Sequence, residues 1–303
     1  MSFQRILCPI DFSDDSAHAT EHAVAIARWY GARLTLLHVY PTVRRPPTLP
    51  VPDAGAAHGP TPAELEALRD RAAAAVAADA GVTIHASVIT GEPVGAILEQ
   101  ATALPADLIV MGTHGASGFR HLILGSVTEK VLRQAPCPVL TVPPRAQATS
   151  TQPFTRMLCA VDFSDCSQKA ANVAASLARE SGAALSLLHV IEWPWHEPPT
   201  PSMEGIPPEQ ARALIEYRQY LETSAKDRLE AAANTALPDG PTPALQIRFG
   251  KPYVELLDAA REPGADIIVI GVHGRSVLDI GFFGSTTNQV VRRASCPVLT
   301  VRG

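Results

Sequence analysis

The order of apolar and polar positions predicts strands that alternate with helices. In the first half, apolar runs of strand length are separated by segments in which apolar residues recur about every 3.6 positions, as in a helix. The predicted strands are "RILCPI", "RLTLLHVY", "TIHASVIT", "DLIVMG" and "CPVLTV". The predicted helices are "SAHATEHAVAIARWYG", "PAELEALRDRAAAAVAADAG", "PVGAILEQATALP" and "SVTEKVLRQA". Strands rich in Val, Ile and Leu between helices indicate a doubly wound, five-stranded parallel sheet covered on both faces.

The second half repeats this order of elements. "ILCPIDFSDDS" returns as "MLCAVDFSDCS", "LTLLHVY" as "LSLLHVI" and "ADLIVMGTHG" as "ADIIVIGVHG", while "CPVLTV" occurs twice unchanged. Matches in the same order along both halves indicate a tandem duplication. We therefore predict two such α/β domains, at 1–143 and 154–303, joined by a polar, proline-bounded linker at 144–153.

Composition narrows the class of protein. The chain has 303 residues, of which 46% are hydrophobic and 18% charged, and its formal net charge is −5. This balance gives no support for a nucleic acid partner. No apolar run approaches the roughly 18 to 20 residues of a membrane span, and the N-terminal stretch lacks the apolar region of a signal peptide. We expect a cytoplasmic protein that binds neither nucleic acid nor membrane.

A glycine pattern recurs in both halves: Gly, two residues, Gly, nine residues and then Gly-Ser. It runs from Gly112 to Ser126 and from Gly271 to Ser285, starting where the fourth strand of each half ends. Glycine there lets backbone N–H groups approach a ligand, and a helix N-terminus attracts anions. We predict a phosphate-binding loop. The alternative is a plain helix start in which Ser126 and Glu129 form a capping box.

An aspartate follows the first strand of each half, at Asp11 and Asp162. One interpretation is a cap for the following helix. The other is a carboxylate that faces a ligand, because the first and fourth strands flank the switch point of a flavodoxin-like sheet. His114 and His273, inside the glycine turns, either touch a ribose or phosphate or cap the turn. His18 and His22 have no third ligand at suitable spacing, and no metal site is predicted.

The cysteines follow the internal repeat. Of the five cysteines, four occupy matched positions of the repeat, and none has C-x-x-C spacing. We interpret them as buried strand thiols rather than as a disulfide framework or a zinc site.

These residues resemble the universal stress protein family over both halves. The resemblance is carried by "PIDFSDDS", "LLHV", "VMGTHG", "LGSVTEKV" and "CPVLTV", together with their second-half counterparts. It implies a Rossmann-like fold of the adenine nucleotide alpha hydrolase type. The Gly-x2-Gly-x9-Gly-Ser spacing is that of the family's ATP-binding branch, so the resemblance also implies one ATP in each half, with Mg²⁺ as a companion of its phosphates.

The resemblance also implies which residues would contact the nucleotide. At the nucleoside end these would be Pro9, Asp11, Val39, Met111, Asp162, Val190 and Ile270, with Ala160 in place of the proline in the second half. At the phosphate end they would be Gly112, Gly115, Gly125, Ser126, Val127, Thr128, Gly271, Gly274, Gly284, Ser285, Thr286 and Thr287.

Function is expected to rest on binding rather than turnover. No P-loop and no matched pair of base and nucleophile occurs in either half. The leading prediction is a nucleotide-dependent regulatory protein of the stress response. A slow ATP hydrolase and a non-nucleotide interaction scaffold remain as alternatives. The two halves are expected to pair through their terminal "CPVLTV" strands as a pseudo-dimer, which leaves a further homodimer open.

Overall fold

The protein is described from a computed structural model. The described residues are 3–41, 63, 66, 67, 70, 82–113, 124–144, 146, 154–192, 207–238, 242–262, 264–274 and 283–302. The chain divides into two compact units, Ser2–Pro153 and Phe154–Gly303. The boundaries of the linker, 144–153, stay a prediction.

The first unit has the predicted order of strands and helices. Its elements are β1 (Arg5–Ile10), α1 (Asp14–Tyr30), β2 (Arg33–Pro41), β3 (Thr83–Gly91), α2 (Pro93–Ala103), β4 (Leu108–Gly112), α3 (Ser126–Gln134) and β5 (Val139–Val142). The strands are parallel and lie in the order β3-β2-β1-β4-β5. The helix predicted over 62–81 lies outside the described residues except at 63, 66, 67 and 70, which are helical.

The second unit repeats this topology. Its elements are β6 (Arg156–Ala160), α4 (Asp165–Ser181), β7 (Ala184–Ile191), α5 (Pro208–Ala236), β8 (Ala244–Phe249), α6 (Pro252–Arg261), β9 (Ile267–Gly271), α7 (Ser285–Arg293) and β10 (Val298–Val301). The strands are again parallel, in the order β8-β7-β6-β9-β10. The prediction of two tandem, doubly wound five-stranded domains is therefore confirmed.

The sequence pattern explains these elements locally. Strands β4 and β9 are buried at every position, as expected for continuous apolar runs covered by helices on both faces. Helices α1 and α4 end at Gly31 and Gly182, whose φ values of 63° and 69° are left-handed. Glycine adopts this conformation without the steric cost of a Cβ, so both helices stop where the sequence places it. No described helix combines the length and the apolar character needed to cross a membrane.

The topology fixes where a ligand can bind in each unit. The strand order reverses between β1 and β4 in the first unit and between β6 and β9 in the second. Chain connections leave such a point in opposite directions, and a crevice opens beyond the carboxyl ends of the two strands. The predicted aspartates and glycines follow these four strands.

Cys8 and Cys159 are repeated cysteines whose thiols lie in the core of their units. Both lie in the first strand of their unit and are fully buried. Burial raises the pKa of each thiol from 9.0 to about 12, because the thiolate loses its hydration. A shift of this size leaves roughly a thousandfold less thiolate at pH 8 than in an exposed cysteine.

Alkylation with iodoacetamide at pH 8 is therefore expected to leave Cys8 and Cys159 unmodified in the native protein and to modify them in denaturant. Peptide mapping by mass spectrometry measures both states. Rapid modification of either thiol in the folded chain would contradict this burial. Because each pKa is higher in the folded than in the unfolded state, the free energy of unfolding falls as the pH rises from about 9 towards 12.

Candidate functional site

The aspartate after β6 organises the turn that leads into α4. Asp162 Oδ1 accepts hydrogen bonds from Ser164 N at 3.0 Å and from Ser164 Oγ at 2.6 Å. Ser164 is the N-cap of α4, and its Oγ accepts from Ser167 N at 3.2 Å. The interpretation of Asp162 as the helix cap is therefore wrong, because a serine two residues later occupies that position. The carboxylate fixes the turn from outside the helix.

The first unit repeats this arrangement. Asp11 Oδ1 accepts from Ser13 N at 3.1 Å and from Ser13 Oγ, and Ser13 is the N-cap of α1. Ser13 Oγ in turn accepts from Ser16 N at 3.2 Å. Asp11, like Asp162, is therefore not the cap of its helix. Two copies of one turn place a carboxylate at the same point of both sheets.

A strained phenylalanine follows each aspartate. Phe12 and Phe163 have φ values of 60° and 64°, a left-handed conformation that costs a non-glycine residue about 1 to 2 kcal/mol. Each ring packs on a histidine from the second strand, His38 at 4.7 Å and His189 at 4.3 Å between centroids. The Nδ1 of each histidine donates to the carbonyl two residues before its phenylalanine, at 2.9 and 2.7 Å. The histidines thus brace both turns.

The glycines after β9 lie where a Cβ would collide with the neighbouring turn. A Cβ at Gly271 would stand 2.9 Å from Cys166 Sγ, and one at Gly274 would stand 2.6 Å from Asp162 Oδ2. Real Cβ contacts are essentially never this short, so a side chain at either position would displace its neighbour. The close approach brings the glycine turn and the carboxylate together at the switch point.

Gly112 has the same role in the first unit. A Cβ there would lie 3.1 Å from the carbonyl oxygen of Asp15, in the first turn of α1. The residues that follow, His114 and Gly115, lie outside the described residues.

Helices α3 and α7 begin without a side-chain cap. Gly125 and Gly284 are their N-caps, and neither helix has a side-chain hydrogen bond at the cap. The capping-box alternative is therefore wrong: Ser126 is already the first helical residue, and Glu129 pairs with Arg133 at 2.6 Å instead. A helix start of this kind presents backbone N–H groups and the positive end of the helix dipole to an anion.

A buried threonine anchors each of these helices to the strand before it. Thr128 Oγ1 donates to Gly112 O at 3.0 Å, and Thr287 Oγ1 donates to Gly271 O at 2.7 Å. The hydroxyl proton is thereby used inside the protein in both units. These two residues position the helix N-terminus and, in this conformation, do not donate their hydroxyl protons to a ligand.

Thr287→Val is expected to lower the free energy of unfolding by about 1 to 2 kcal/mol, because the buried Gly271 carbonyl loses its partner while the side chain keeps its shape. Chemical denaturation measures the change. Thr286→Val is the matched control: Val127 occupies this position in the first unit, and near-neutral stability is expected. A loss from Thr286→Val as large as that from Thr287→Val would contradict the anchoring role.

One cavity in the second unit collects the predicted residues. Its volume is about 1060 Å³, just above the usual range of about 300 to 1,000 Å³ for small-molecule sites. Every second-half residue predicted to contact the nucleotide lines it: Asp162, Val190, Ile270, Gly271, His273, Gly274, Gly284, Ser285, Thr286 and Thr287. Ala160, the residue that replaces proline, lines it as well.

The first-half residues occupy corresponding places. Pro9 lies in β1, Val39 in β2, Met111 and Gly112 at the end of β4, and Ser126, Val127 and Thr128 in the first turn of α3. Asp11 is exposed, and Gly125 is the N-cap of α3. The structure therefore describes this unit's site except for His114 and Gly115.

Sequence reasoning missed several cavity residues. Phe163 and His189 belong to the repeated "DFSD" and "LLHV" segments, so their recurrence was a visible signal. A face of α5 also lines the cavity, through Tyr217, Leu221, Ser224, Ala225 and Arg228. The periodicity of a mostly polar helix does not distinguish the residues that face a ligand from those that face solvent, so no pattern singled these out.

His18 and His22, considered above as possible metal ligands, make contacts within the protein. Their rings pack edge to face at 5.1 Å, His18 Nε2 donates to the carbonyl of Ala146, and His22 Nδ1 donates to His18 O. Within the described ranges, no group of three or more His, Cys, Asp or Glu residues could hold a metal ion.

Comparisons with known proteins follow the same division of the chain. The model of the Universal stress protein family matches residues 2–143 and again residues 153–302. A universal stress protein of Methanocaldococcus jannaschii is 36% identical over 146 residues, which are 46% of this chain and 82% of that protein. One of Thermus aquaticus is 39% identical over 147 residues, 46% of this chain and 98% of that protein.

A solved structure agrees on the fold. A universal stress protein from Archaeoglobus fulgidus superposes with a TM-score of 0.68 at 21% identity, over 98% of this chain and 96% of that chain. The family match in both halves also agrees with the repeated topology and with the repeated turns at the switch points. The chain belongs to the universal stress protein family and carries two of its domains in tandem.

Proposed function

We propose that each half binds one adenine nucleotide, ATP, and that occupancy of these sites regulates the protein in the stress response. The observation that carries this proposal is the cavity of the second unit. Residues from β6, β7, β9 and α7, which the sequence motifs and the family resemblance indicated, line one space of suitable volume at the switch point. The glycine spacing in both halves fits the ATP-binding branch of the family.

The residues present fit the two ends of a nucleotide. Asp162 would accept hydrogen bonds from ribose hydroxyls, with Val190 and Ile270 as apolar contacts for the base. The uncapped start of α7 would receive the phosphates through its backbone N–H groups and the Ser285 hydroxyl. Gly274 keeps the space beside Asp162 that a Cβ would fill.

The first unit would bind in the same way. Asp11, Pro9, Val39 and Met111 would serve the nucleoside, and the start of α3 would serve the phosphates. Mg²⁺ would accompany the triphosphate. Because the described residues offer no metal-binding cluster of their own, phosphate oxygens and water would supply most of its ligands.

Binding without rapid turnover is the proposed mode of action. Asp162 is the carboxylate that follows β6. Its Oδ1 accepts two hydrogen bonds from Ser164 and therefore holds the turn in place. A general base needs an oxygen that reaches the attacking water. The slow hydrolase and the interaction scaffold stay as alternatives. The pairing of the two halves through their terminal strands stays a prediction.

Calorimetric titration of the full-length protein with ATP and Mg²⁺ tests the proposal. We expect two bound nucleotides per chain, with ADP formation over hours no faster than in a protein-free control. Absence of any ATP binding would overturn the proposal in favour of the scaffold. Steady ADP formation would favour the hydrolase. Denaturing the purified protein and chromatographing the released ligand provides a second readout.

A further inference from the structure

Arg228 brings a positive charge to the cavity from α5, a helix outside the glycine and aspartate motifs. The carbon Cζ of its guanidinium lies 4.1 Å from the centroid of the Phe163 ring. Because Phe163 is the residue after Asp162 and also packs on His189, the arginine rests on a turn that is itself braced. Stacking of a guanidinium on an aromatic face restricts where the charge can be.

Among the described residues, none forms an ion pair with this charge. Across the described part of the chain, the stack on Phe163 is the interaction that Arg228 makes, with no hydrogen bond or ion pair to the guanidinium. Arginine carries five N–H donors and stays charged at any physiological pH. Arg228 is an exposed residue that also lines the cavity, so its positive charge faces both the cavity and the solvent.

Arg228 differs in charge from the other ionised residues that line the cavity. Among its described lining residues, Asp162 and Glu192 carry negative charge, and Arg228 is the one lysine or arginine. Negative side chains disfavour a polyanion in the same space, whereas a fixed cation offsets them. An uncharged nucleoside gains little from either effect.

The sequence repeats this arginine in a segment that otherwise diverges. "RDRAAAA" in the first half and "KDRLEAAA" in the second keep Asp-Arg ahead of an alanine-rich run. Arg71, the counterpart in sequence, lies outside the described residues, so the inference concerns Arg228 alone.

We propose that Arg228 is a specificity-determining residue, which makes the second site favour a phosphorylated adenine nucleotide over the uncharged nucleoside. The inference rests on the proposed function, because it concerns which adenine compound the proposed second site prefers. The cation on α5 and the uncapped start of α7 both favour anionic groups, so two elements of one cavity select for phosphate.

The experiment compares ATP with adenosine in full-length protein that carries Gly125→Asp, which leaves the second site to be measured. Arg228→Met removes the charge but keeps a long apolar stem against Phe163. Arg228→Lys restores the charge without the planar group. Arg218→Met is the matched control: Arg218 also lies on α5, with its Cζ 4.4 Å from the Phe249 ring centroid, but does not line the cavity.

Arg228→Met is expected to weaken ATP binding about two- to fivefold at low salt, because one charge at short range is worth about 1 kcal/mol in a water-like dielectric and solvent screens the exposed arginine. Adenosine binding should change by less than about twofold, and the difference should shrink as salt is added. Arg228→Lys should recover most of the ATP affinity, and Arg218→Met should match the parent.

Equal weakening of ATP and adenosine would overturn the inference, because it would indicate a loss of packing rather than of charge. Unchanged ATP affinity in Arg228→Met would overturn it too. Thermal unfolding checks that each variant is folded, and Arg228→Gln replaces Arg228→Met if the latter is not. If the parent protein binds neither ligand, the proposed function fails and the inference with it.

Discussion

Gly284→Asp is expected to abolish ATP binding by the second half while the protein stays folded. Gly284 is the N-cap of α7, with φ −56° and ψ 138°, a conformation open to aspartate. Aspartate is a favoured N-cap, so its carboxylate would accept hydrogen bonds from the N–H groups that phosphate would otherwise use. It would also repel the triphosphate. We expect at least about a hundredfold loss of affinity.

Calorimetric titration should report one site lost per chain. Gly125→Asp is expected to remove the other site, because Gly125 caps α3 with nearly the same backbone angles. Gly284→Asn is the matched control, since it caps the helix without a charge and should weaken binding less. Both aspartate variants should remain folded, although a Cβ at Gly284 would lie 3.1 Å from the carbonyl oxygen of Val272, so the gain from the new cap is offset there by a tight backbone contact. Unchanged stoichiometry in both would remove the phosphate assignment.

Gly274→Ala is expected to weaken ATP binding at the second site about tenfold or more. The new Cβ would stand 2.6 Å from Asp162 Oδ2, so the carboxylate has to move. Hydrogen bonds from a ribose to a charged group contribute about 1.5 to 3 kcal/mol, and a displaced carboxylate forfeits part of this. Titration in a Gly125→Asp background isolates the site.

A double-mutant cycle tests whether the effect passes through the carboxylate. If Gly274→Ala acts by moving Asp162, it should cost little further affinity in protein that already carries Asp162→Ala. The ribose gives a second readout: the preference for ATP over 2′-deoxy-ATP should fall in Gly274→Ala. Additive losses from the two substitutions would show that the glycine acts independently of Asp162.

Much of the fold was accessible from sequence because it follows from local rules. Continuous apolar runs separated by helical periodicity predicted the buried parallel strands, and Gly31 marked the end of α1. The internal repeat then predicted the same fold for the second half of the chain. Boundaries were less exact: the last strand was predicted from Cys137 and begins at Val139, because the sheet ladder rather than the apolar run decides where pairing starts.

The cap alternatives for the aspartates and for Ser126 were wrong for a geometric reason. Serine, aspartate and glycine all suit a helix start, and composition alone does not say which of several neighbours adopts the N-cap conformation. The structure assigns that position to Ser13 and Ser164 rather than to the aspartates, and to Gly125 rather than to Ser126.

By itself the sequence determined the repeated α/β topology and the part of the second cavity that the motifs after β6 and β9 form, because strand order and motif position dictate which loops meet at a switch point. Tertiary structure alone decided three further features. These are the left-handed turns at Phe12 and Phe163, the anchoring of α7 by Thr287, and the placement of Arg228 over the cavity. Each depends on contacts between residues far apart in the chain. Local propensity and periodicity do not predict contacts between distant residues, so these three features depend on how the chain packs.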